Sequence, residues 1–80
     1  MLVPLYGFLR GDSIGLLVLI HDTENVGEIG RKLQEAASVR VAPRPAADVF
    51  LRGTLLDPKI TVAEAGLEAL DRVDVVPKDS

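Results

Sequence analysis

The run Ile14-Gly15-Leu16-Leu17-Val18-Leu19-Ile20 contains no polar position, and His21 and Asp22 close it. It is too short for a buried helix and rich in branched side chains, so it reads as a strand. Neighbouring strand residues point to opposite sides of a sheet, which separates Leu17 and Leu19 from Leu16, Val18 and Ile20. One set can cover the chain's only long helix; the other requires a second cover. The segment Leu2 to Leu9 is also extended and apolar at both parities, with Leu2, Pro4, Tyr6 and Phe8 opposing Val3, Leu5, Gly7 and Leu9. Pro4 cannot donate to a ladder and belongs near the strand start or beside a free edge. Arg10-Gly11-Asp12-Ser13 is a turn cluster between the two runs, the signature of a β-hairpin.

A helix follows. Val26, Ile29, Leu33, Ala36 and Ala37 fall on one stripe at helical spacing. Thr23 or Asn25 can cap it, and Glu28, three residues after Asn25, completes a capping box. Gly30 projects into the middle of the stripe, which implies close approach of the helix to a sheet, whereas Gly27 suits a tolerated surface position. Val39 to Pro45 is a connector, because Pro43 and Pro45 hold the residues before them out of helical geometry. A third strand is expected at about Asp48 to Arg52, a turn at Gly53, and a short fourth strand from Leu55-Leu56. Thr61-Val62-Ala63-Glu64 is a second capping-box pattern, stopped by Gly66. Leu67 and Leu70 lead into a last strand, Arg72-Val73-Asp74-Val75-Val76, with Val73 and Val75 on one side.

The order is hairpin, helix, strand, short strand, helical turn, strand. It predicts one α+β domain over residues 1–80, with 77–80 a polar tail. The arrangement is the ubiquitin-like β-grasp: a mixed sheet of four to five strands with one main helix on one face. The other face of that sheet has no cover of its own.

Composition narrows the field. Eighty residues with 48% apolar and 26% charged make a small globular domain able to bury one core. A net charge of −3 disfavours nucleic acid or an anionic membrane as partner. The absence of cysteine removes disulfides, thiolate metal sites and cysteine nucleophiles together. The first residues have no basic lead-in, and Pro4 and Arg10 interrupt their apolar stretch, so the expectation is a soluble cytoplasmic protein.

Nothing in the sequence assembles an active site. His21 is the single histidine, and with Asp22 and Glu24 it reads as capping and solvating a helix start. Asp57, Glu64, Glu68, Asp71 and Asp74 match neither a calcium loop nor a paired Glu/His iron motif. Gly7, Gly11 and Gly15 are not followed by the Lys-Ser/Thr of a phosphate loop and fit a hairpin needing tight turns or close approach. Arg10-Gly11-Asp12 matches the integrin-binding tripeptide by letters, but turn chemistry already explains it. No catalytic residue, cofactor or metal ligand is expected.

Arg40-Val41-Ala42-Pro43-Arg44, Ile60 to Leu67 and Val73-Asp74-Val75-Val76 together resemble the small B (gamma) subunit of toluene 4-monooxygenase and related multicomponent bacterial monooxygenases. The hairpin is similar too, with Pro4, Asp12 and the run through Ile20 in matching places. The stretch between Pro45 and Pro58 is shorter and less basic than the family pattern, and Leu16 is apolar where that pattern can hold a polar residue. The resemblance implies a ubiquitin-like fold and a non-catalytic subunit docked on the large hydroxylase subunit. That large subunit carries the di-iron site and hydroxylates aromatic compounds or alkenes.

The expected interface combines Tyr6 and Phe8 of the first strand, Leu16, Val18 and Ile20 of the second, and Arg40 and Arg44. The two arginines flank Ala42-Pro43, and a rigid loop would present both guanidinium groups to carboxylates of the partner. Two exposed loop arginines is the plainer alternative. Several large apolar residues left in water would form a patch of an interaction site. The competing expectations are self-association of the isolated chain through that face, or a free-standing ubiquitin-like adaptor. A sulfur carrier or protein modifier would need a Gly-Gly carboxyl end, where this sequence has Val76-Pro77-Lys78-Asp79-Ser80.

Overall fold

The computed structural model describes residues 1–79. Its elements are β1 (Leu2–Leu9), β2 (Gly15–His21), α1 (Val26–Ala36), β3 (Ala46–Leu51), β4 (Thr54–Leu55) and β5 (Arg72–Lys78). The five strands form one mixed sheet in the order β2-β1-β5-β3-β4. β1 pairs β2 antiparallel and β5 parallel, and β3 pairs both β5 and β4 antiparallel. The helix lies across one face, as the α+β reading requires.

Pro4 sits inside β1 without breaking the sheet. The β1–β5 ladder begins only at Tyr6, whose N–H donates to Asp71 O at 2.9 Å. The missing donor of Pro4 therefore costs no ladder bond, and its carbonyl accepts from the Leu70 N–H at 2.6 Å.

The core forms between α1 and the inward face of the sheet. Leu5, Ile20, Ile29, Leu33, Val73 and Val75 are completely buried there. Gly30 sets the closeness of the contact: a Cβ at that position would stand 3.2 Å from Ala47 Cβ and 3.6 Å from Val49 Cγ2. Gly7 does the same on the other side, where a Cβ would meet both δ-carbons of Leu33 at 2.9 Å. Ala36, expected on the buried stripe, is exposed, while Ala37 just past the helix is buried.

The helix start is built differently from the expected capping box. Asn25 is the N-cap residue but makes no side-chain cap bond. The orphan donors go instead to main-chain carbonyls of a distant segment: Val26 N–H to Ile60 O at 2.8 Å and Gly27 N–H to Pro58 O at 3.1 Å. Gly27 is thus a contact position, since a Cβ there would lie 3.3 Å from Pro58 O. The second box does form. Thr61 N–H donates to Glu64 Oε1 at 2.9 Å and Glu64 N–H to Thr61 Oγ1 at 3.1 Å, in a turn that ends at Gly66 with φ +75°.

The facing of the hairpin corrects one expectation. Val18 and Ile20 belong to the core, at 5% and 0% exposure, and Leu16 packs half-buried against it. They are not an open surface. The register explains why: Val3 opposes Ile20, Leu5 opposes Val18 and Gly7 opposes Leu16, and directly opposed residues share a face. Of the two β1 sets, the one under the helix lacks the Tyr6 hydroxyl, which would need a partner in the core, and supplies the space at Gly7 that Leu33 fills.

Candidate docking face

The face of the sheet away from α1 divides into two halves. On β1 and β2 the opposed pairs are Leu2–His21, Pro4–Leu19, Tyr6–Leu17 and Phe8–Gly15. Leu17 is 57% exposed, Leu2 and Leu19 50%, and Tyr6 46%. They adjoin one another and carry no charge. Phe8 is half-buried at the boundary, with the Arg72 guanidinium 4.0 Å from its ring centroid, a cation–π contact.

The β5 and β3 half mixes charged pairs with half-buried Val76 and Phe50, which lie opposite Asp48 and Asp74. Arg72 pairs with Asp74 at 3.1 Å and Lys78 with Asp48 at 2.9 Å. Such exposed pairs contribute little to stability, but they leave no large uncompensated field for a charged partner. Of these two halves, the β1–β2 side therefore holds the more exposed large apolar residues. Tyr6 and Phe8, expected at the interface, lie on this outer face, whereas Leu16, Val18 and Ile20 turn to the core and Leu17 and Leu19 take the outer positions of β2. The signal for Leu17 and Leu19 was present in the apolar run itself and lacked only its facing.

The two arginines do not form one presenting loop. Arg40 closes on Asp12 across the molecule: Nε stands 3.1 Å from both carboxylate oxygens and Nη2 2.9 Å from Oδ2. The Asp12 side chain is 2% exposed beneath it. Arg40 thus ties the hairpin turn to the connector after α1, and it is not an open guanidinium for a partner. The same contact withdraws Asp12 from any Arg-Gly-Asp recognition. Arg44 is held through its main chain, whose N–H donates to Gln34 Oε1 at 2.7 Å while Gln34 Nε2 donates to Arg44 O at 3.3 Å. Its guanidinium reaches Asp79 at 2.8 Å and remains at the surface.

The hydrogen bonds from Arg40, and then those from the Ile14 and Ser13 main chain, hold the Asp12 carboxyl below its ordinary value of 3.8 against the cost of burial. The Thr61 main-chain and hydroxyl bonds likewise hold Glu64 below 4.5. A carboxylate whose pKa is depressed by folding stabilises the native state above its unfolded pKa and loses that contribution as pH falls through the folded one. Stability should therefore decline below about pH 4, and Asp12→Asn should make the decline shallower. Thermal unfolding of both proteins across the acid range checks this; equal slopes would remove Asp12 from the explanation.

The remaining polar residues are dispersed. His21 is exposed and its carbonyl accepts from Glu24 N–H at 3.0 Å. Asp57 holds the Lys59 N–H, and Asp71 holds the Glu68 N–H and lies 3.6 Å from Arg52. Among the described residues, no three His, Asp or Glu side chains come together as a metal site. No helix among them is long and apolar enough to cross a membrane.

A family model described as toluene-4-monooxygenase system protein B (TmoB) matches residues 2–76. The chain belongs to that family. The match takes in the apolar half of the outer face, the Arg40–Asp12 clamp and the start of the last strand. The fold of this family member is that of a chain in the toluene 4-monooxygenase HD complex with the inhibitor 4-bromobenzoate. That chain is 24% identical, with a TM-score of 0.88 over 98% of this chain and 100% of the other. The ubiquitin of Caldiarchaeum subterraneum is 14% identical, with a TM-score of 0.78 over 98% and 95% of the two chains. The UBL domain of Plasmodium falciparum Dsk2 is 15% identical, with a TM-score of 0.75 over 98% and 100%. The ubiquitin-like β-grasp is thereby established. No curated protein matches the chain by sequence.

Proposed function

We propose that this TmoB-family chain is a non-catalytic accessory subunit of a bacterial multicomponent di-iron monooxygenase of the toluene type, docked in the cytoplasm on the large hydroxylase subunit. The observation that carries the reading is the family match over residues 2–76. It is supported by the likeness to a chain of a toluene 4-monooxygenase complex. A surface fit for docking is present in Leu2, Tyr6, Leu17 and Leu19, exposed together on one side of the sheet. In this reading its role is to cover and brace a partner rather than to transform a substrate, which the family match and the exposed apolar half of the outer face support.

Co-expression with the hydroxylase large subunit from the same organism tests the proposal. The expected result is a complex that survives gel filtration, and a hydroxylase that loses assembly or activity when this chain is omitted. Full assembly and turnover without it would defeat the reading. A free-standing ubiquitin-like adaptor competes, favoured by the likeness to ubiquitin itself and to a UBL domain. A soluble monomer by light scattering that ignores the hydroxylase would decide for the adaptor.

A further inference from the structure

Leu70 occupies a backbone conformation that its side chain opposes. It is the third residue of the turn Glu68–Asp71, which is closed by the Asp71 N–H to Glu68 O at 3.1 Å and the Glu68 N–H to Asp71 Oδ2 at 2.9 Å. Its φ is +66°. Glycine or asparagine fills such a position without penalty, and a bulky residue there is an outlier. Among the described residues the other non-glycine position with positive φ is Arg52, in the two-residue turn Arg52-Gly53 between β3 and β4, and its side chain is a charged one that reaches Asp71 at 3.6 Å.

Core packing does not account for Leu70, because it is 56% exposed. Its N–H donates to Pro4 O at 2.6 Å, which seats it against β1 beside the row that runs on through Pro4 to Leu19. A strained backbone thus holds a large apolar side chain in water at the border of the exposed apolar half. Strain of this kind concentrates where a residue serves contact rather than folding.

We infer that Leu70 is an anchor of the docking face, extending the Leu17–Leu19 surface across β1 to meet an uncharged apolar surface of the hydroxylase large subunit. This rests on the docking reading given above. The choice of an apolar partner surface follows from the exposed residues themselves, since Leu2, Leu17, Leu19 and Leu70 are each at least half exposed and carry no charge.

The test separates strain from contact. Leu70→Gly and Leu70→Asn should raise the Tm of the isolated chain by about 4 °C, since both residues accept this conformation. Both should weaken binding to the immobilised hydroxylase large subunit about tenfold or more. Leu55→Ala, an equally exposed apolar residue on β4 at the far edge of the sheet, should leave binding unchanged. A purely structural role predicts that stability and binding fall together, and that result would overturn the inference. If the Leu70 variants bind as tightly as the parent chain, the inference fails while docking stands. If the parent chain itself does not bind, both fail.

Discussion

Leu17→Asp combined with Leu19→Asp is expected to abolish the proposed association with the hydroxylase while the chain stays folded. Both side chains lie on the outer face at half exposure or more, so neither supports the core. Burial of one large apolar side chain contributes about 1.5–3 kcal/mol. Loss of two therefore weakens binding by roughly a hundredfold or more. The introduced carboxylates add the cost of burying charge against an apolar surface. Co-purification measures the association, and far-ultraviolet circular dichroism with a melting curve measures the fold. Undiminished association by a folded double variant would place the contact elsewhere on the molecule.

Ile20→Ala should have the opposite character. Ile20 is wholly buried opposite Val3 in the hairpin, beneath α1. Truncation of such a side chain costs about 2–5 kcal/mol, a large share of the roughly 5–15 kcal/mol that holds a small domain together. The midpoint of urea unfolding should fall steeply, whereas Leu19→Ala, one position away, should barely move it. If Leu19→Ala proved the more damaging of the two, the facing of β2 described here would be reversed.

The elements of this fold are readable from short-range pattern. The hairpin, the helical stripe from Val26 to Leu33, the Thr61–Glu64 box and the alternation of Val73 and Val75 each show themselves within a few residues. The facing of the hairpin was harder, because β1 and β2 are apolar at both parities and alternation carries no information there. Two residues mark the facing: Tyr6 with its hydroxyl, and Gly7, which leaves the space that Leu33 fills. Long-range pairings were not legible. Arg40 looked like a free loop arginine because its partner, Asp12, lies 28 positions earlier. Asn25 and Glu28 looked like a capping box because nothing nearby announces that Pro58 and Ile60 would supply the caps. Leu70 gave no sign at all, since its strain exists only in the folded turn.

The sheet places β1 and β5, the first and last strands, side by side at its centre. On the ribosome, the hairpin and helix emerge with their middle neighbour still unsynthesised, and β3 can pair only with the two residues of β4 until β5 arrives. The sheet closes only once β5 is available, and contacts so distant in sequence make that closure slow. Removing β5 would leave two sheet fragments with no seam between them, so this small protein has no viable half.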